Sequence, residues 1–229
     1  MGELEDAVCE VINELLNGKP RIKLLEAGCG SYTHIKFNPE VYAVGIDISK
    51  EQLERNVTVQ EKILGDLEKY PLPRDEFDVA ICWMVLEHLP NPQQAMRNMF
   101  GCVKPGGLVI LGFPNLLSIK GVVTKFTPFW FHELFYKVMN YESQHFPTYF
   151  RKKIVPANVI EFAEENGFSV VFSKLVEGSV TKRVRNRFRV VDFAFAAADR
   201  VTTLLSFGKL SSPLLDACAL ILQKRKISS

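Results

Sequence analysis

The sequence predicts an α/β protein built on a doubly wound, mainly parallel β-sheet, and three observations support this fold class. Short, almost continuously apolar runs of strand length alternate with segments whose apolar residues recur at helical spacing. Strands that are apolar on both faces belong to a parallel sheet covered by helices on both sides. With 47% apolar and 24% charged residues the composition is globular, and 229 residues favour a single domain over residues 1–229.

The predicted elements follow one another along the first half of the chain. A first helix ends in "NGKP", where Gly18 and Pro20 stop it. A helix capped by Ser49 follows the second strand, and a helix with Pro92 in its first turn precedes the fifth. The five strands are "IKLLEAG", "VYAVGID", "KILGD", "FDVAICWMV" and "LVILGF". Their alternation with helices predicts the crossover connections of a doubly wound sheet.

Composition and charge argue against several classes of protein. The acidic N-terminal segment "MGELEDAVCE" lacks the features of a secretory signal, and no apolar run has the roughly 18 residues of a membrane span. The five cysteines are scattered without a C-x-x-C pair, which favours reduced thiols over disulfides or a metal site. A net charge of +2 does not indicate a nucleic-acid partner. We therefore expect a soluble, cytoplasmic protein.

Two glycines in "EAGCG" directly follow the first predicted strand. In doubly wound sheets ligands bind beyond the carboxyl ends of the strands, and the first strand-to-helix loop belongs to that crevice. Gly28 and Gly30 lack the Cβ atoms that would keep a ligand from the backbone, and both tolerate positive φ. Asp47 ends the second strand about 20 residues later, where a carboxylate can accept both hydroxyls of a ribose. The pattern predicts a cofactor that contains adenosine.

Two further acids indicate which cofactor this is. A dinucleotide fingerprint needs a third glycine where this chain has Thr33. Glu26 stands two residues before the first glycine, where a carboxylate would repel a pyrophosphate but suit an ammonium group. Asp66 ends the third strand and can accept a hydrogen bond from an adenine amino group. Because S-adenosylmethionine carries an ammonium, a sulfonium and no phosphate, three acids at successive strand ends favour that cofactor.

With these motifs the sequence resembles the class I S-adenosylmethionine-dependent methyltransferases, in particular the small-molecule methyltransferase type 11 group. The resemblance runs from about Arg21 to Asn115, in "LLEAGCG", "VGIDIS", "GDLEKYPLPRDEFDVAICWMVLEHLPNP" and "VKPGGLVILGFPN". It implies a Rossmann-like, seven-stranded sheet with helices on both faces and an antiparallel last strand. It also implies methyl transfer to a small or medium organic acceptor, with S-adenosylhomocysteine as the second product. Tyr32 departs from the pattern, because the family often has a further glycine there.

The resemblance also assigns cofactor contacts to residues at four strand ends. The residues at the end of the first strand and in its glycine loop would line the methionine part of the cofactor. The residues after the fourth strand would also lie near the methionine part. Those after the second and third strands would bind the ribose and the adenine. The residues are Glu26, Gly28 and Gly30; Asp47 for the ribose, with Ile48 packing on the adenine; Asp66 and Leu67 at the adenine edge; and Cys82 and Trp83 just past the fourth strand.

Two segments in the second half of the chain are predicted insertions. Residues 115–150 are rich in aromatic residues and proline, and by the resemblance they form a lid over the acceptor. Residues 179–213 form a basic and helical insertion that precedes the last strand, "LDACALILQKRK". The alternate arginines of "RVRNRFRV" would share one side of an extended segment, as a solvated face or as an anion contact. Apolar residues of this insertion would pack either on the domain or on a second subunit, and the second alternative would give a homodimer.

Three histidines are candidates for a general base that takes a proton from an acceptor hydroxyl. His145 and His132 lie in the aromatic insertion, and each has a purely structural alternative. His88, in "LEHLP", either lies near the site or merely begins the next loop, and Glu87 either orients it or is solvated. Many methyl transfers need no strong base, because the sulfonium activates the methyl group and the enzyme mainly supplies alignment.

The residues leave two other classes open. An NAD(P)-dependent oxidoreductase is indicated only by Tyr149 and Lys153 in Y-x-x-x-K spacing, which Pro147 and Pro156 bracket closely. A non-catalytic S-adenosylmethionine-binding or partner subunit would keep the fold, but all the cofactor acids are present. A nucleic-acid acceptor is disfavoured by the nearly neutral charge. The leading hypothesis is therefore a methyltransferase for a small-molecule substrate, without a metal.

Overall fold

The computed structural model describes residues 2–33, 35–127, 152–205 and 212–226, and the structural statements below concern those residues. The helices end near capping and helix-breaking residues, with 3₁₀ turns at Leu86–His88 and Lys152–Ile154. The strands are β1 (Arg21–Ala27), β2 (Glu40–Asp47), β3 (Glu61–Leu64), β4 (Phe77–Trp83), β5 (Val103–Pro114), β6 (Phe168–Val176) and β7 (Ala217–Lys224). The helices are α1 (Glu3–Leu15), α2 (Lys50–Arg55), α3 (Pro92–Cys102), α4 (Ile119–Phe126), α5 (Pro156–Glu165), α6 (Ser179–Arg187) and α7 (Arg189–Leu205).

The strands form one seven-stranded sheet in the order β3-β2-β1-β4-β5-β7-β6, with β7 antiparallel to both of its neighbours. This confirms the predicted fold class, including the antiparallel last strand. Ala27 pairs with Ile46 on one side and with Cys82 on the other, so the central parallel strands end level with one another. Pro114 pairs with Ala217, which puts the start of β7 at the same edge. We call this edge the carboxyl edge.

Helices cover both faces of the sheet, because its strands carry apolar side chains on both sides. On one face α1 buries Val8 and Ile12 in an apolar cluster shared with β1, β4 and β5. On the other face α3 and α5 bury Met99 and Phe162 in a second cluster. Full burial of such a side chain stabilises the fold by roughly 1.5–3 kcal/mol. The apolar strand patterns therefore fix the layers of the fold.

The connection between β1 and β2 differs from the prediction. The sequence pattern predicts a strand-to-helix loop, but residues 28–33 and 35–39 contain no helix. Ile35 and Phe37 instead pack into the cluster under α1, and their period-two spacing does not suit a helix. The Asn13 side chain of α1 donates to the Lys36 carbonyl (3.1 Å) and accepts from the Asn38 N–H (2.6 Å). Helix α1 therefore holds this connection in place.

The arginine-rich insertion contains two helices, α6 (Ser179–Arg187) and α7 (Arg189–Leu205). The prediction that its alternate arginines share one side of an extended segment is wrong, because alternate residues of a helix do not point the same way. Arg185 forms ion pairs with Glu177 (2.9 Å) and Asp192 (2.7 Å) and thereby links the end of β6 to α6 and α7. The arginines in question are Arg183, Arg185, Arg187 and Arg189.

The apolar residues of α7 only partly follow the prediction. Phe193 and Val201 are exposed, so these side chains do not pack on the described part of the domain. A contact with a second subunit, and with it a homodimer, stays a prediction. None of the helices in the described ranges combines the length and the apolar character that crossing a membrane requires.

Candidate active site

The glycine loop after β1 folds back onto β2. The N–H groups of Gly28 and Cys29 both donate to the Ile46 carbonyl oxygen, at 2.8 and 3.2 Å. The Gly30 N–H donates to Oδ2 of Asp47 at 2.9 Å. Gly28 and Gly30 have φ values of +71° and +49°, which residues with a Cβ rarely adopt. The loop thus needs its glycines for backbone reasons, and its three N–H groups donate within the protein.

The side chain of Asn56 fixes the outer part of this loop. Asn56 is fully buried, and its Nδ2 donates to the carbonyl oxygens of Cys29 (3.2 Å) and Gly30 (3.1 Å). Its Oδ1 accepts hydrogen bonds from the Thr58 N–H (2.8 Å), the Thr58 hydroxyl (2.7 Å) and the Val59 N–H (3.3 Å). One amide therefore joins the glycine loop to the turn between α2 and β3. In the sequence Asn56 resembles any asparagine at a helix end.

The end of β2 presents an acid beside an exposed apolar side chain. Asp47 Oδ1 accepts a hydrogen bond from the Ser49 N–H at 2.8 Å, while Oδ2 binds the glycine loop. Each carboxylate oxygen has a second lone pair, so Asp47 can still accept hydrogen bonds from ligand hydroxyls. Ile48 is 73% exposed, which leaves its side chain free to pack on a ring.

Glu26 is buried at the end of β1. Its Oε2 accepts a hydrogen bond from the Thr33 hydroxyl at 2.6 Å, and that hydroxyl lies 2.7 Å from the hydroxyl of Thr58. Thr33, which replaces the third glycine of a dinucleotide fingerprint, thus holds the acid in place. A buried carboxylate is unfavourable unless hydrogen bonds or a cation compensate it, so this position suits a cationic ligand group.

Asp66 and Leu67 follow β3 with different surroundings. Asp66 Oδ1 accepts the Glu68 N–H at 2.9 Å, and Oδ2 pairs with Lys69 at 2.8 Å. The hydrogen bond from Lys69 holds the pKa of Asp66 below its usual range, so the carboxylate is ionised at neutral pH. The Leu67 side chain is buried in the core, so only backbone groups of Leu67 can contact an adenine.

The structure corrects the placement of Cys82 and Trp83. Both belong to β4, not to the loop beyond it, because pairing with β5 continues from Cys82–Leu111 to Trp83–Gly112. Both side chains are buried, and burial raises the pKa of the Cys82 thiol far above its ordinary value. The Trp83 ring packs so closely on Gly112 that a Cβ there would lie 2.4 Å from it. Neither side chain is accessible to a ligand in this structure.

The 3₁₀ turn after β4 carries the next two polar side chains of the carboxyl edge. Glu87 is only 6% exposed, so the alternative that it is solvated is wrong. The His88 side chain is 29% exposed, and its Nε2 lies 3.9 Å from Oε1 of Glu87, which is longer than a hydrogen bond. Burial raises the pKa of Glu87 to about 7. An acid of altered pKa thus lies beside the predicted base.

A buried acid just before β7 ties together the far side of the carboxyl edge. Asp216 accepts hydrogen bonds from the Gly178 N–H and from the Thr181 hydroxyl (2.8 Å), and it pairs with Lys120 of α4 at 3.2 Å. Only 2% of its side chain is exposed. The sequence did not single out this cluster, because its members come from distant segments that no local pattern connects. Asp216 therefore joins α4, α6 and β7.

The predicted lid is described only in part. Residues 115–127 form a turn followed by α4. The predicted base His145 lies outside the described residues, as do His132 and Tyr149, while Lys153 lies in a 3₁₀ turn. The lid and the role of His145 therefore stay predictions.

Comparison with known proteins agrees with this geometry. A family model described as "Methyltransferase domain" matches residues 2–171, well over half of the chain. The chain belongs to the methyltransferase-domain family. This membership confirms the predicted methyltransferase family, and with it S-adenosylmethionine as the cofactor of that family.

Two curated methyltransferases show the extent of the similarity. The ubiquinone biosynthesis O-methyltransferase of Proteus mirabilis is 32% identical over 119 residues, which cover 45% of this chain and 46% of that protein. The tRNA (carboxymethyluridine(34)-5-O)-methyltransferase of Arabidopsis thaliana is 34% identical over 111 residues, covering 46% and 27%. The match thus spans less than half the length of either relative.

A solved methyltransferase structure extends the fold comparison to nearly the whole chain. The S-adenosylmethionine-dependent methyltransferase of Archaeoglobus fulgidus has a TM-score of 0.57 at 16% identity and covers 97% of this chain and 94% of its own. At this identity the likeness concerns the fold alone. The methyltransferase domain therefore has the family architecture.

The role of Asn56 can be tested with a nearly isosteric change. Asn56→Asp removes the amide N–H groups that donate to the carbonyl oxygens of Cys29 and Gly30. A carboxylate oxygen then lies opposite these two carbonyl oxygens and repels them. We expect a loss of roughly 1–3 kcal/mol in the free energy of unfolding, measured by urea denaturation, and weaker S-adenosylhomocysteine binding. Asn17→Asp, at an exposed turn, is the matched control and should change neither quantity. Equal stability of Asn56→Asp and wild type would contradict this role.

The backbone requirement at Gly28 gives a second test. A Cβ at Gly28 would lie 2.4 Å from the Val85 side chain and would require a residue at φ +71°. Gly28→Ala should therefore destabilise the domain by at least about 1–2 kcal/mol and weaken cofactor binding. Gly101, inside α3, has open space around it, so Gly101→Ala should be neutral or stabilising by up to about 1 kcal/mol. Thermal unfolding of both variants measures the contrast, and similar losses would show that loop geometry is not the cause.

Proposed function

We propose that this protein transfers a methyl group from S-adenosylmethionine to a small or medium organic acceptor at the carboxyl edge. The observation that carries the proposal is the row of acids Glu26, Asp47 and Asp66 around a loop whose N–H groups donate inward. A phosphate needs N–H donors that point at it, whereas ammonium, ribose hydroxyl and adenine amino groups need acceptors. The carboxyl edge supplies acceptors and therefore suits S-adenosylmethionine better than NAD.

In this proposal, different residues of the carboxyl edge would bind different groups of the cofactor. Glu26 would pair with the ammonium group, Asp47 would accept the ribose hydroxyls, and Ile48 would cover one adenine face. Asp66 would accept from the adenine amino group while Lys69 keeps its carboxylate ionised. The bound cofactor supplies a methyl group activated by a sulfonium. The protein then has to align the acceptor and exclude water.

The acceptor would approach from the part of the carboxyl edge that α4, α6 and the 3₁₀ turn form. The partly exposed imidazole of His88 can take the proton of an acceptor hydroxyl there. Residues 115–150, with His145 and many aromatic side chains, would form a partly apolar lid over the acceptor. An O-methyltransferase of ubiquinone biosynthesis among the relatives supports an organic hydroxyl acceptor.

An RNA acceptor is the second candidate, because one relative is a tRNA methyltransferase and the insertion is basic. Residues 179–205 contain six basic and two acidic residues, a net charge of +4, although the whole chain carries only +2. Arg185 is already paired with two acids, and Lys182 pairs with Glu3 at 2.8 Å. These pairs reduce the charge available to phosphates, which favours the small-molecule acceptor.

Ligand binding tests the cofactor part of this proposal. Calorimetric titration of the wild type should show binding of S-adenosylmethionine and S-adenosylhomocysteine and no binding of NAD. Asp47→Ala should weaken S-adenosylhomocysteine binding roughly ten- to a hundred-fold, because two ligand hydroxyls lose their acceptor. Glu10→Ala, which removes an exposed acid of α1, should bind like wild type. Unchanged affinity in a folded Asp47→Ala protein, or tight binding of NAD alone, would contradict the assignment.

A transfer assay separates the remaining classes of function. The protein is incubated with methyl-labelled S-adenosylmethionine and, separately, with a small-metabolite extract and with bulk tRNA. We expect label in the organic products of the metabolite extract. Label in the tRNA instead would support the second candidate. Cofactor binding without transfer to either pool would indicate a non-catalytic subunit.

A further inference from the structure

The 3₁₀ turn after β4 holds a buried acid to which the cofactor assignment gives no role. Glu87 is 6% exposed, and its Oε2 has no hydrogen-bond partner in the described part of the chain. An unsatisfied buried oxygen usually destabilises a fold by roughly 1–3 kcal/mol. Such a group requires an explanation, and in a site at the strand ends the explanation is often functional.

Three titratable or charged groups on the surrounding elements face Glu87. Its Oε1 lies 3.9 Å from His88 Nε2 on the same turn. The Cys82 thiol of β4 is buried, and its raised pKa keeps it neutral. Lys120 of α4 acts on Glu87 only as a weaker charge, and its ammonium group is paired with Asp216 at 3.2 Å. His88 lies next to Glu87 on the same turn, at a distance that allows a direct charge interaction when the imidazole is protonated.

We propose that Glu87 is a positioning residue for His88: its buried carboxylate orients the imidazole and stabilises the imidazolium that forms when His88 accepts a proton. This rests on the proposed function, with a hydroxyl acceptor. The O–H bond of the acceptor would break and its proton would move to the imidazole nitrogen away from Glu87. The electron pair left on the oxygen would bond to the methyl carbon while the methyl–sulfur bond breaks, and the electron pair of that bond would stay on the sulfur of the leaving S-adenosylhomocysteine. The imidazolium later releases the proton to water.

The protonation of Glu87 suits this role. Because burial raises its pKa to about 7, Glu87 is partly protonated at neutral pH and can respond to the charge of His88. The pKa of Glu87 is raised above its ordinary value of 4.5, so the folded protein holds this proton more tightly than the unfolded chain does. The free energy of unfolding therefore decreases as pH rises from about 4.5 to 7. In that interval the unfolded chain releases the proton first. Glu87→Gln should therefore gain stability over wild type as pH rises through this interval.

The closing experiment follows the titration of His88 in the whole ligand-free protein by NMR. His88→Asn identifies the His88 signals among those of the four histidines. We expect Glu87→Gln to lower the pKa of His88 by about one unit or more, because an opposite charge within about 4–6 Å is lost. Glu87→Asp, which keeps the charge, should preserve part of the effect. Glu10→Gln, at an exposed position of α1, should leave the pKa of His88 unchanged.

Activity completes the experiment once the transfer assay has supplied an acceptor. Glu87→Gln should lower kcat at least tenfold and move the acidic limb of the pH–rate profile, with the Kd of S-adenosylhomocysteine unchanged. Identical His88 titration in wild type, Glu87→Gln and Glu87→Asp would overturn the proposal, whether or not methyl transfer is detected. A shifted His88 pKa with unaltered kcat would also overturn it. Absence of transfer by wild type, with the His88 shift present, would count against the proposed function instead.

Discussion

The buried amide of Asn56 is the interaction on which the cofactor side of the carboxyl edge depends. It binds two carbonyl oxygens of the glycine loop and three donors of the turn before β3, so the loop cannot move without breaking several buried hydrogen bonds. No helix follows the loop within residues 28–33 and 35–39 that could hold it instead. Because the N–H groups of the glycine loop donate to β2, the groups at the carboxyl edge that can bind a ligand are mainly carboxylates.

Gathering acids at one edge of a sheet is unfavourable unless each acid has a partner, and the structure supplies these partners one by one. Glu26 has a threonine hydroxyl, Asp47 has two backbone N–H groups and Asp66 has a lysine. Asp216 has a lysine, a threonine and a backbone N–H. Glu87 differs, because one of its oxygens is buried without a partner among the described residues. The first three acids therefore have partners in the protein and can still accept hydrogen bonds from a cationic or hydroxyl-bearing ligand, whereas burial raises the pKa of Glu87 to about 7.

Several errors of the sequence-based prediction have a common physical cause. Local patterns predict whether a segment is buried, but not which tertiary partner buries it. Residues 31–33 and 35–39 contain no crossover helix, because α1 packs over this connection and fixes it with Asn13. The alternate arginines predict one side of an extended segment. In the structure this segment is helical, and Arg185 forms ion pairs with Glu177 before α6 and with Asp192 in α7. The family resemblance implies that Cys82 and Trp83 lie just past β4, whereas pairing with β5 keeps both in the strand.

The sequence by itself determined the strands, the glycine loop and the three strand-end acids, because these depend on short periodicity and on fixed spacing along the chain. It also determined the family, which the match over residues 2–171 confirms. Only the tertiary structure decided that Asn56 reaches a loop 27 residues away, that Asp216 binds Thr181 across 35 residues, and that Glu87 is buried. Burial and long-range hydrogen bonds arise when the sheet brings segments that are distant in sequence to one edge. Local sequence patterns cannot predict these contacts, because they extend over only a few neighbouring residues.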